Sequence, residues 1–361
     1  MHIPDGYLSP STCATLYAFA ATGWYSALKR IKRMLATRAI PLISVLAAFS
    51  FVVMMFNVPL PGGTTGHAVG VTVAAIVLGP WGSILAISIA LAIQALFFGD
   101  GGITTLGANC FNMAVVGSFV ACGVYRLAAA RSGIRSRRRV LAAAIAGYVS
   151  INAAAFVTAL EFGIQPTLFH DGSGTPLYAP YPLHVAVPAM MLGHLTLAGL
   201  AEAVISAGMV SYLQRADLGL LGEAGNLATG SAPIPAMVNN GRSLRRLWWA
   251  VALLLVCTPI GILAAGTAWG EWSSADLMNA KTRAQIEAAS GNHAPPVSVP
   301  TGLQKLSTVW TAPFPGYAPR FIKSPAFGYS LSAMFGAGLL VVVSLTARVI
   351  GRRPNARNPR P

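Results

Sequence analysis

The sequence predicts an all-α protein, a polytopic bundle of transmembrane helices, on three observations. Of its 361 residues, 55% are hydrophobic and only 10% charged, whereas a soluble domain carries roughly 25% charged residues. The mean hydropathy is +0.62, and apolar stretches long enough to cross about 30 Å of hydrocarbon recur along the chain. The 25 Lys and Arg residues gather in short clusters between those stretches, the pattern of cytoplasmic loops in a lipid-embedded chain. A net charge of +15 alone suggests a phosphate-binding surface. The clustering argues instead against nucleic acid as a partner.

Apolar spans are expected at 12–28, 39–57, 67–78, 81–98, 108–127, 140–160, 184–213, 247–269 and 327–350. The first seven form a bundle of about seven helices, one of them short or re-entrant. The last two flank an extracytoplasmic loop at 270–326. The third span has 12 residues before the Gly79-Pro80 break, too few to cross alone. It therefore stands either as a short crossing or as half of a re-entrant hairpin with the fourth. With nine spans drawn, 20 of the 25 basic residues fall on one side. The other five (Lys281, Arg283, Lys305, Arg320, Lys323) lie in the long loop, where charge has little topogenic force. This predicts an outside N-terminus and a cytoplasmic C-terminus. Three regions follow: a bundle domain at 1–215, a polar cytoplasmic linker at 216–245, and a two-helix module at 246–361.

Cys13, Cys110, Cys122 and Cys257 all sit in apolar segments without a CxxC pair, so neither a disulfide frame nor a thiolate metal site is expected. The opening MHIPDGYLSP has no basic stretch ahead of an apolar one. A cleaved signal is therefore not expected, and Met1 is expected to remain. No Lys follows a Gly, which excludes a P-loop. No HExxH occurs either, which argues against a membrane metalloprotease. With the sixth span ended at 160, Glu202 is the one acidic residue well inside a span. It is read as a helix-end or interface residue near the cytoplasmic third.

Of the six histidines, His2 has a special neighbour, the α-amino group of Met1. That amine, the ionised backbone amide of His2 and the His2 Nδ1 can chelate one metal through a five-membered and a six-membered ring. The three nitrogens lie near one plane, and a fourth completes the square favoured by Cu(II) or Ni(II). Pro4 has no N–H to ionise, so the fourth ligand must come from elsewhere. The loop 58–66 (VPLPGGTTG) cannot be regular helix. Such backbone is tolerated at membrane depth only when buried in protein or lining a cavity. Dipping inward, it would set His67 at the floor of an outward-facing pocket, and His67 is the best candidate for that ligand. The predicted metal ligands are Met1, His2 and His67. A terminal amine is protonated at neutral pH and must lose its proton, so binding weakens in acid.

Asp5 and Asp100 each precede a glycine and read as turn formers, with a second role in orienting ligand imidazoles. Thr64, Thr65, Asn109 and Asn112 are expected to tie the Gly-rich loops by hydrogen bonds over the pocket. His184 and His194 are ten apart, off a common helix face, and are expected to be structural.

Three uninterrupted motifs give the chain a family likeness: MHIPDGYLS at the N-terminus, GGTTGHAVG at 62–70 and GDGGITTLGANCFNMA at 99–114. Over roughly residues 1–215 it resembles the CbiM/NikM family, the substrate-capture (S) components of energy-coupling-factor transporters for cobalt or nickel. The resemblance implies Ni(II) or Co(II) as transported substrate and a bacterial inner-membrane location. It also implies a transmembrane coupling (T) subunit and cytoplasmic ATPases as partners, with no catalysis by this chain. In that family the site uses the terminal amine, the second residue's amide and imidazole, and a histidine after the GG loop, which here are Met1, His2 and His67. Ala14 and Ala18, small residues four apart on the first span, lie on the face that would meet the coupling subunit. The C-terminal part resembles the PDGLE-type, CbiN/NikN-like segment through PTGLQKLS at 300–307 and APFPGY at 312–317. It departs from the pattern with Thr301 for Asp and Gln304 for Glu. Amide coordination favours nickel over cobalt. The competing function is a stand-alone secondary permease for divalent metals, driven by an ion gradient.

Overall fold

The computed structural model describes residues 1–35, 39–222, 241–264 and 266–351. Most of the expected linker (223–240), with Arg38, Arg352, Arg353, Arg357 and Arg360, lies outside the described residues. Helix α1 (Pro10–Leu35) starts with Pro at its first position, and Ser9 Oγ accepts from Thr12 N–H at 3.1 Å. A hydroxyl before an N1 proline satisfies donors the helix leaves unpaired. Helix α2 (Ala39–Met54) follows, then a short hairpin of β1 (Val58–Leu60) and β2 (Thr64–Gly66) with Pro59 opposite Thr65. Next come α3 (Val71–Ile93), α4 (Leu106–Ala129), α5 (Arg137–Leu168) and α6 (Leu183–Ala216). The C-terminal part has α7 (Gly241–Cys257), three short helices α8 (Ser274–Met278), α9 (Ala280–Ala289) and α10 (Thr301–Leu306), and α11 (Pro325–Gly351).

Among the described residues, six helical stretches are long and apolar enough to cross a membrane. They begin at Val71, Leu106, Arg137, Leu183, Leu244 and Pro325. The protein is thus a polytopic helical membrane protein. Large apolar side chains remain exposed around the bundle, among them Leu127, Val204 and Leu253, as expected where lipid is the solvent.

The third and fourth expected spans are the two arms of α3. Gly79 leaves the helical region at φ 71°, ψ 172°, with Pro80 behind it. Ser83 Oγ lies 3.4 Å from the Val71 carbonyl. Twelve residues of straight helix would part them by about 18 Å, so the chain doubles back at Gly79–Pro80. The Arg30 guanidinium stacks 4.1 Å from the Trp81 ring, which places this reversal beside the basic end of α1. The short arm begins at Val71 rather than His67, leaving His67 in the loop above it.

Glu202 is not at a helix end. Fully buried on α6, it accepts from the Val69 and Gly70 N–H groups at 2.7 and 2.8 Å. It thereby caps the short arm directly beneath the His67 loop, where a helix N-terminus favours an acceptor. Nor is it the one acidic residue inside a span. Helix α5 continues past 160 to Leu168 and carries buried Glu161 within it.

The C-terminal part is packed into the bundle. Gly336 of α11 lies so close to the Phe51 ring of α2 that an added Cβ would come within 2.1 Å. Tyr329 donates to the Met55 carbonyl at 2.7 Å, and Gly302 N–H donates to the Leu177 carbonyl at 2.7 Å.

A buried amino-terminal site

The first residues thread into the protein. Met1, His2 and Ile3 are 3%, 1% and 0% exposed, although no secondary structure holds them. What holds them is side chains from the 99–109 segment. The Ile3 N–H donates to Asn109 Oδ1 at 2.8 Å, and Asn109 Nδ2 donates to the Ile3 carbonyl at 3.1 Å. The carbonyl also accepts from Gly102 N–H at 2.9 Å and from Thr105 Oγ1. Two residues on, the Asp5 carboxylate accepts from Ile103 N–H (3.1 Å) and Thr104 N–H (2.7 Å). Glycine is required at 102, where a Cβ would meet the Asp5 backbone N at 2.4 Å. Gly6, at φ +89°, lies against the Leu303 backbone of α10. The first motif thus packs through Asp5 on Gly102 and through Gly6 on the C-terminal part.

This clamp brings five polar groups together. The Met1 ammonium is 3.1 Å from Glu271 Oε1. His2 Nδ1 lies 3.0 Å from Asp100 Oδ1 and 3.3 Å from His67 Nε2. A carboxylate only accepts, so His2 Nδ1 carries the proton here. The other ring nitrogen, Nε2, is buried with no hydrogen-bond partner among the described residues. His67 Nδ1–H donates to the Ala68 carbonyl at 3.0 Å, which leaves the Nε2 lone pair facing His2. Burial first, then the neighbouring His2 and the terminal ammonium, lower the His67 pKa to about 3. The ring is therefore a neutral donor at ordinary pH. Burial alone would push Asp100 up. The adjacent His2 overrides this, with help from His67 and the Tyr317 hydroxyl, and the carboxyl is held well below its usual range. One ligand atom each from His2, Asp100 and Glu271 fall within 4.8 Å of one another.

Aromatic side chains line one side of the site. Tyr317 donates to Asp100 Oδ2 at 2.6 Å and stacks on Phe98 with ring centroids 4.6 Å apart. Gln94 Nε2 donates to the same carboxylate oxygen at 3.2 Å. On the other side of Met1 opens a cavity of about 310 Å³, lined by Thr64, Trp269 and three histidines, His184, His194 and His293.

Of the residues singled out from sequence, Met1, His2, His67 and Asp100 converge. Asn109 clasps the Ile3 peptide and Asp5 ties the terminus to 103–104, and among the described residues neither hydrogen-bonds an imidazole. Thr64 Oγ1 donates to Pro61 within its own hairpin at 3.3 Å, and Thr65 Oγ1 to the Gly266 carbonyl at 3.3 Å. Asn112 Nδ2 turns away to Thr158 (3.0 Å) and Glu161 (2.7 Å). Two participants were missed, Glu271 and Tyr317. Glu271 has one sequence signal. It begins the long loop just after an apolar span, and is therefore tethered to the bundle's end.

Comparison with known proteins agrees with this architecture. Residues 2–219 match the family model described as the cobalt uptake substrate-specific transmembrane region, CbiM, and residues 245–353 match the PDGLE domain. The fused nickel transport protein NikMN of Rhodobacter capsulatus is 51% identical over 98% of this chain and 99% of its own length. The probable fused nickel transport protein LarMN of Lactiplantibacillus plantarum is 41% identical, covering 82% of this chain and 84% of its own. A crystal structure of a truncated transition metal transporter superposes with a TM-score of 0.56 at 52% identity, over 60% of this chain and 99% of that one. The chain belongs to the CbiM family of cobalt/nickel transport proteins and carries a C-terminal PDGLE domain.

Proposed function

We propose that this protein is the substrate-capture subunit of an ATP-driven energy-coupling-factor importer. Residues 1–215 would form the capture domain, and 246–361 a module that closes over it. The ion is bound near-square-planar by the Met1 amine, the His2 amide nitrogen, His2 Nδ1 and His67 Nε2. The observation that carries this reading is the 3.3 Å approach of His67 Nε2 to His2 Nδ1 beside a buried amino-terminus.

The geometry suits the chelate. With the amide in the middle of the terminal three nitrogens, the fourth ligand stands opposite it and cis to His2 Nδ1. At metal–nitrogen distances of about 2.0 Å, cis nitrogens are about 2.8 Å apart and trans nitrogens about 4.0 Å. The observed separation needs only a small contraction to become cis. Among the described residues the His2 N–H donates no hydrogen bond, whereas the next amide, Ile3, is committed to Asn109. The nitrogen that must ionise is the one left free. Amide donors exert a strong field and favour Ni(II) over Co(II), in line with the names of two relatives that span both parts of the chain. Transport energy would come from a T subunit and cytoplasmic ATPases, with the N-terminus outside.

Adding one residue before Met1 moves the free amine out of chelating reach. Equilibrium dialysis with nickel should then show a loss as severe as that of His2→Ala. An extended chain that binds nickel as well as the original would defeat the chelate. Concentrative nickel uptake that needs co-expressed ATPases separates this reading from a self-sufficient permease.

A further inference from the structure

The cavity beside Met1 has histidines at both ends of its lining, and the chelate uses none of them. His184 starts α6 and His293 follows α9 in the long loop, so one belongs to each part of the chain. Both are exposed at the cavity, with ring centroids 5.8 Å apart and planes at 67°. His293 Nδ1–H donates to the Ser290 carbonyl at 3.0 Å, which leaves Nε2 with its lone pair. Among the described residues the His184 side chain makes no hydrogen bond. Further in, buried His194 has its Nδ1–H fixed on the Met190 carbonyl at 2.9 Å, again leaving Nε2 as the free donor. Anchoring one imidazole nitrogen on a carbonyl is how proteins prepare the other for metal.

The spacing fits a shared ion. A metal about 2.1 Å from a ring nitrogen lies about 3.2 Å from the ring centroid, so two imidazoles on one ion have centroids within about 6.4 Å. Separations of 5.8 Å for His184–His293 and 5.0 Å for His2–His67 both meet that limit. The cavity then joins the outer pair to the amino-terminus, with His194 and Met1 both in its lining.

We propose that His184 and His293 form a transient two-nitrogen capture site for a divalent transition-metal ion at the entrance of this cavity. The ion passes from there, by way of His194, to the amino-terminal chelate. The inference rests on the chelate reading for its destination. It gives the C-terminal loop a defined part in loading, since half of the entry site comes from that loop.

Loading is followed by mixing full-length purified protein with nickel and a metal-sensitive dye in stopped flow. The double variant His184→Gln, His293→Gln should load about tenfold more slowly, within the range over which one interface tunes its on-rate. Its nickel stoichiometry and final absorption spectrum should match the wild type, a split that a merely folding defect would not produce. In the N-terminally extended chain, a weak residual nickel site should persist and vanish on adding the double substitution. Wild-type loading kinetics in the double variant, or residual binding indifferent to it, would overturn the proposal. Failure of the chelate reading looks different, as full equilibrium affinity in the extended chain.

Discussion

Asn109 offers the most direct test of how the amino-terminus is held. In Asn109→Ala the Ile3 carbonyl keeps Gly102 N–H and Thr105 Oγ1, so loss of the Nδ2 bond costs little. The Ile3 N–H, in a residue 0% exposed, keeps no acceptor among the described residues. A buried donor stripped of its only acceptor costs about 1–3 kcal/mol. That cost falls on the docked terminus alone, because an undocked terminus gives its N–H to water. The docked, binding-competent population therefore drops, and nickel affinity falls by a factor of about 5 to 150. Titration calorimetry with nickel on purified Asn109→Ala reads this directly. Affinity within twofold of wild type would refute the view that this single side chain anchors the chelating segment.

Two further outcomes follow from the same geometry. In Gly102→Ala the new Cβ meets the Asp5 backbone N at 2.4 Å; backbone cannot swing aside, so nickel affinity should fall more than tenfold, checked by dialysis. His67 holds its pKa at about 3 in the fold, against about 6.5 for a free imidazole. Between those values the unfolded chain takes up a proton that the folded chain refuses, so stability is lost as pH falls through that window. The melting temperature of the metal-free protein should decline there, and His67→Phe should flatten the decline.

How much of this was legible in the sequence depends on what each signal encodes. The bundle was legible because membrane spans are written in continuous apolarity, and the charge clusters mark their ends. The doubling at Gly79–Pro80 was visible as a short span with a breaker. Helix ends were harder. Glu161 looked like a span boundary because a carboxylate usually ends one, yet Asn112 pairs with it inside. Glu202 misled for a similar reason. Its depth was judged along its own helix, whereas its role is set by the hairpin that dips to meet it. That Met1, His2 and His67 come together was legible because the first two are joined in sequence and the loop motif marks the third. Glu271 and Tyr317 come from a loop without periodicity. Only the folded chain brings Tyr317 onto Asp100 across 217 residues of sequence.

The ionisation state of the pocket carries one more consequence. Without metal, the ammonium of Met1 faces Glu271 and the His2 ring donates to Asp100. Chelation as proposed brings in two positive charges and strips one proton from the ammonium and one from the His2 amide. The charge that enters is matched by the protons that leave, so the buried pocket never has to hold uncompensated charge, which would be costly there. Ligation through Nδ1 leaves the ring N–H on Nε2, which has no hydrogen-bond partner among the described residues. Nickel binding near pH 7 should therefore release at least two protons. Calorimetry in buffers of different ionisation enthalpy counts them. A count near zero would mean that the amide keeps its hydrogen and the ion is held by carboxylates and imidazoles, the arrangement in which His2, Asp100 and Glu271 are the ligands.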